Sequence, residues 1–90
     1  MKISIITPTL NCEKTLPITL ASILAQNYKD LEHIIVDGGS NDKTVEILKK
    51  YPNKNKKLFL LKKKKLYESI NYGIKKSKGE LITILNSDDF

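Results

Sequence analysis

Four short apolar runs, three of them rich in β-branched residues, alternate along this chain with three stretches whose apolar residues recur at helical spacing. That alternation constrains the fold more than any other feature. Ile3 to Thr7 reads as a strand that Pro8 ends, because proline cannot donate to a ladder. Leu16, Leu20, Ile23 and Leu24 lie on one helical face, with Thr15 placed to cap, Pro17 tolerated in the first turn, and Asn27 and Tyr28 closing the helix. Glu32 to Val36 is a second strand with Ile34-Ile35-Val36 at its centre.

The segment Asp37-Gly38-Gly39-Ser40-Asn41-Asp42 is a turn, in which Ser40 or Asp42 is placed to cap a helix over Lys43 to Lys50 that turns Val45 and Leu48 inward. After the loop Pro52 to Asn55, Leu58 to Leu61 is a third strand. Leu66, Ile70 and Ile74 mark a third helix that ends near Gly79, and Leu81 to Leu85 reads as a buried fourth strand. The order β-α-β-α-β-α-β implies an α/β fold with a doubly wound, mostly parallel sheet and right-handed crossovers. At 90 residues the chain is one domain at most.

No apolar run approaches the ~20 residues of a membrane span, the N-terminal run is too short for a signal peptide, and Cys12 is the one cysteine. A cytoplasmic location is the default expectation. The net charge of +6 is concentrated in Lys54, Lys56, Lys57 and the run Lys62 to Lys65. No aromatic residues interleave with these lysines, which argues against nucleic acid. A solvated surface is the plain reading, and peripheral contact with the inner face of a membrane is the alternative. Self-association through an open sheet edge is a further expectation.

Ligands of open α/β sheets bind at the carboxyl ends of the strands. Here those ends carry Thr7-Pro8-Thr9, Asp37-Gly38-Gly39-Ser40 and Asn86-Ser87-Asp88-Asp89. No Gly-x-Gly-x-x-Gly follows the first strand and no Gly-x-x-x-x-Gly-Lys-Ser/Thr occurs, so neither common phosphate loop is present. Asp37, and more weakly Thr7, could accept a base N–H. The adjacent carboxylates Asp88 and Asp89 are costly together unless neutralised, as by a hard divalent cation holding phosphate oxygens. Cys12 reads as a small buried filler and His33 as a half-exposed residue at a strand entrance.

Ser4 to Asn11, Thr15-Leu16, Ser22 to Tyr28, Ile34 to Thr44, Ile70 to Glu80 and Leu85 to Asp89 together resemble the opening of family 2 glycosyltransferases, in that family's order. The resemblance implies a GT-A type fold, truncated to its nucleotide-sugar-binding half over residues 1–90, with the acceptor half and its general base beyond residue 90. It implies a nucleotide-diphosphate sugar donor, most readily a UDP-sugar, with Mg²⁺ or Mn²⁺. The acceptor would be a saccharide or lipid-linked hydroxyl in surface polysaccharide or glycolipid assembly. By that resemblance Thr7 and Pro8 lie beside the base, Asp37 bonds it, Asp88 lies near the ribose and sugar, and Asp89 ligates the metal. Where relatives carry an acidic, glycine-containing segment before the third helix, this chain has Lys62 to Lys65. The alternative is a catalytically inactive fragment or nucleotide-binding module.

Overall fold

The computed structural model describes residues 1–26 and 29–87. The elements run β1 (Ile3–Thr9), α1 (Leu16–Leu24), β2 (Leu31–Asp37), α2 (Thr44–Lys50), β3 (Lys56–Leu60), α3 (Leu66–Lys76) and β4 (Leu81–Ile84). All strand pairs are parallel, in the order β3-β2-β1-β4. Alternation along the strands splits the core into two layers. Ile35 packs with Cys12, Leu16, Leu20, Leu48 and Tyr51 beneath α1 and α2. Its neighbours Ile34 and Val36 join Ile6, Phe59, Leu61 and Tyr72 beneath α3.

Several expectations change in the folded chain. Pro8 does not end its strand: β1 pairs with β2 as far as Thr9 opposite Asp37. The pairing with β4 stops at Ile6 opposite Ile84, so the missing proline N–H falls beyond that paired stretch. The third strand begins earlier than the apolar run, at Lys56. Thr15 precedes α1 without a side-chain bond to a helix amide. Asp42, one residue before the N-cap Lys43, satisfies α2 instead, accepting from the Thr44 amide at 2.9 Å. The α2 inner face is Thr44 and Leu48, with Val45 half-buried.

The largest departures concern α3 and β4. The buried residues of α3 are Ser69 and Gly73, while Ile74 is 41% exposed. Small side chains let the helix approach β1: a Cβ on Gly73 would stand 2.6 Å from Ile6 Cγ2. Gly73→Ala is therefore expected to cost about 2 kcal/mol by overpacking, read as a lower urea midpoint at unchanged slope. Among the described residues the fourth strand is an edge rather than a buried strand. With one neighbour, Leu81, Ile82 and Ile84 stay 40–47% exposed.

Candidate functional site

β2, β1 and β4 are consecutive in the sheet, so the carboxyl ends of β1 and β2 and the segment leaving β4 lie side by side. Two loops form the floor of this crevice. The loop after β2 is organised by Asp37, whose carboxylate is buried and accepts four hydrogen bonds. Oδ1 accepts from the hydroxyls of Thr9 (2.7 Å) and Ser40 (2.6 Å), and Oδ2 from the amides of Ser40 (2.8 Å) and Gly39 (3.1 Å). Gly39 needs its φ of +115°, and a Cβ there would meet the Lys63 amide nitrogen at 2.9 Å.

The loop after β1 is laced to it. Asn11, at φ 48°, donates its amide to Ser40 Oγ (2.8 Å), and its Oδ1 accepts from the Asn41 amide (2.9 Å). The Cys12 amide donates to Thr44 Oγ1 at 2.9 Å, and that of Glu13 to Asp42 Oδ2 at 3.4 Å. Burial works to raise the Asp42 pKa, but hydrogen bonds from the Thr44 hydroxyl and amide and the Glu13 amide outweigh it and hold the carboxyl below its ordinary value. Burial raises the Cys12 thiol pKa, as suits a filler rather than a nucleophile.

Of the residues expected to touch a ligand, Thr7 and Pro8 are fully buried. The Thr7 hydroxyl is engaged by His33 Nε2 at 2.8 Å, so it is not turned toward a base. His33 itself is wholly buried rather than half-exposed. Its Nδ1 lies 3.1 Å from the Tyr51 hydroxyl, which accepts from Asn53 Nδ2 at 2.9 Å. That arrangement lets Tyr51 donate to Nδ1 and leaves Nε2–H to donate to Thr7. Burial lowers the His33 pKa to about 4, so the ring is neutral near pH 7.

Asp88 and Asp89 lie outside the described residues. The segment leading to them reaches α1: Ser87 Oγ is 3.4 Å from Thr15 Oγ1. Among the described residues no group of three or more His, Cys, Asp or Glu side chains is placed to hold a metal. Thr9 is the contributor that the sequence reading passed over. Its two-residue spacing from Thr7 puts both on one face, and its place as the last residue of β1 sets it opposite Asp37.

The lysine run also has a place here. Leu61 donates its amide to the Asp37 carbonyl (2.9 Å) and Lys64 to that of Gly38 (3.0 Å), which fastens the loop of residues 61–65 to the crevice rim. Lys62 to Lys65 are all exposed.

Comparison with known proteins gives this geometry its setting. An uncharacterized glycosyltransferase of Haemophilus influenzae is 38% identical over 91 residues, covering 98% of this chain and 36% of its own length. A PGL/p-HBAD biosynthesis glycosyltransferase of Mycobacterium bovis is 37% identical over 89 residues, covering 96% and 35%. The chain thus spans about a third of the length of these relatives. Among solved structures, Staphylococcus aureus TarS 1–349 in complex with UDP-GlcNAc superposes with a TM-score of 0.89 at 34% identity, over 100% of this chain and 27% of that one. The family model for glycosyl transferase family 2 matches residues 4–90, and the chain belongs to that family.

Proposed function

We propose that the crevice at the carboxyl ends of β1, β2 and β4 binds a nucleotide-diphosphate sugar, with UDP as the nucleotide, as the donor side of a glycosyl transfer to a hydroxyl acceptor. The observation that carries this reading is the pair of interlocked loops built on Asp37, on a chain 34% identical to a protein crystallised with UDP-GlcNAc. Asp37 faces the base side. Of its four donors, the Thr9 and Ser40 hydroxyls can rotate to yield a lone pair to a base N–H, whereas the Gly39 and Ser40 amides stay fixed. Pro8 and Thr7 support this wall from within, and the family resemblance assigns Asp88 to the ribose and sugar.

The chemistry of Asp88-Asp89 suits a hard cation such as Mg²⁺ or Mn²⁺, with Asp89 as its ligand. When bound, such an ion would stabilise charge on the departing nucleotide diphosphate. Transfer also needs a base at the acceptor hydroxyl and a wall that orients the acceptor. Within residues 1–90 the reading covers donor binding.

Calorimetric titration with UDP, with and without Mn²⁺, tests it. Binding is expected with the metal, and Asp89→Ala should weaken it at least about tenfold, as for loss of a charge-assisted contact. The reading fails if UDP and GDP are both silent in the presence of Mn²⁺, or if Asp89→Ala binds as the parent does.

A further inference from the structure

The topology sorts the lysines in a way that their sequence positions conceal. Parallel strands place every strand start at one end of the sheet, and each helix returns the chain to that end. Ten of the sixteen lysines fall there: Lys2 and Lys29 before β1 and β2, the pairs 49–50 and 75–76 closing α2 and α3, and Lys54, Lys56, Lys57 and Lys78 in the entries to β3 and β4. Asp30, Glu32 and Glu80 oppose them. At the crevice end, six lysines face Glu13, Asp37, Asp42, Glu46 and Glu68 among the described residues.

Not all ten are available. Lys56 Nζ donates to the carbonyls of Leu48 and Tyr51, Lys57 bonds Glu32 at 2.9 Å, and Lys76 lies over the rings of Phe59 and Tyr72. Lys29, Lys49, Lys50, Lys54, Lys75 and Lys78 remain exposed. Lys2, Lys29 and Lys54, with Asp30 and Glu32, line a cavity of about 260 Å³ at this end. Favourable interaction with helix C-termini explains lysines in the last turns of α2 and α3. It does not explain Lys29, Lys54 or Lys78, which lie on no helix.

We propose that this end of the sheet docks on an anionic lipid surface, leaving the crevice turned toward water. The charge complementarity is that of a polybasic face and an acidic bilayer. No helix among the described residues is long and apolar enough to cross a membrane. The contact proposed for this end is electrostatic. The inference does not depend on the donor reading. Screening makes it specific to one end: seven-residue strands span roughly 20 Å, and the Debye length at physiological salt is about 8 Å.

The test is co-sedimentation with phosphatidylcholine vesicles, with and without about 30% phosphatidylglycerol, at about 0.15 M salt. Binding is expected only to the acidic vesicles. Two variants of equal charge then separate the ends. Lys50→Gln, Lys54→Gln, Lys75→Gln and Lys78→Gln together should lower partitioning at least about tenfold, while glutamine at all four of Lys62 to Lys65 should lower it less than about threefold. On the unaltered protein, acidic vesicles should protect Lys54 and Lys78 from an amine-reactive reagent and leave Lys62 to Lys65 reactive. Equal loss in the two variants, equal protection at both ends, no binding to acidic vesicles, or tighter binding to an oligonucleotide at the same salt each overturns the proposal.

Discussion

Glu32→Ala is expected to remove about 3 kcal/mol or more of stability, a large part of what a domain of this size possesses. Glu32 is 2% exposed and joins four parts of the chain. It accepts from Ser4 Oγ on β1 at 2.5 Å, from Lys57 Nζ on β3 at 2.9 Å and from the Lys78 amide ahead of β4 at 2.6 Å. Ser4 Oγ in turn accepts from the Gly79 amide at 2.8 Å. Alanine would leave the buried Ser4 hydroxyl and the part-buried Lys78 amide without their acceptor, and an orphaned buried group costs about 1–3 kcal/mol. Burial works to raise the pKa of this carboxyl, and the bonds from Ser4, Lys78 and Lys57 outweigh it, lowering the pKa to about 2. Urea unfolding at neutral pH reads the effect, and a loss below about 1 kcal/mol would mean that the clasp is dispensable. Glu32→Gln keeps an acceptor for Ser4 and is expected to lose less.

Acidification should act in two separable stages. His33 is the first. Its ring stays neutral in the folded chain down to about pH 4, whereas an unfolded chain protonates it near its ordinary value of 6.5. Between those values the unfolded state binds the extra proton, so stability falls as pH falls. Each unit is worth about 1.4 kcal/mol, and the whole window about 3 kcal/mol. Glu32 follows: its contribution is present above its ordinary value of 4.5 and is lost as pH falls toward about 2. Urea midpoints measured from pH 7.5 to 5 report mainly the histidine, because most carboxylates remain ionised over that range. A flat profile over that range would show that His33 is charged or exposed, contrary to its placement between Thr7 and Tyr51. In His33→Gln the slope above pH 5 should disappear.

Much of the fold is legible in the chain because local pattern and tertiary outcome agree. Ile34-Ile35-Val36 is β-branched and is buried on both sheet faces. Asp37-Gly38-Gly39-Ser40 reads as a turn, and the chain leaves β2 there as a loop with Gly39 at positive φ. What escaped a sequence reading depends on neighbours. Leu81 to Ile84 has the composition of a central strand, and nothing in it reports that its second neighbour is missing among the described residues. Ser69 and Gly73 look like the polar side of α3, yet only small groups fit against Ile6. His33 looks like a surface residue until Thr7 and Tyr51, distant in sequence, supply its partners. Lys54 to Lys57 and Lys62 to Lys65 look like one basic region, but β3 sends them to opposite ends of the sheet.

The position of β4 has a consequence for how the chain is made. β1 is an interior strand whose two neighbours are synthesised far apart in time: β2 ends at Asp37, and β4 at Ile84. At ribosomal rates of ~5–20 residues per second, β1 waits on the order of 2–10 s with an unpaired edge. Helices form in microseconds and the non-local pairing of parallel strands more slowly, so the first three strands can begin to assemble while that edge stays open to any other extended segment. The Ser4–Gly79 bond, which spans 75 residues, belongs to the step that ends this interval. The second edge of β1 therefore cannot close before translation has passed β4, however fast the first three strands assemble.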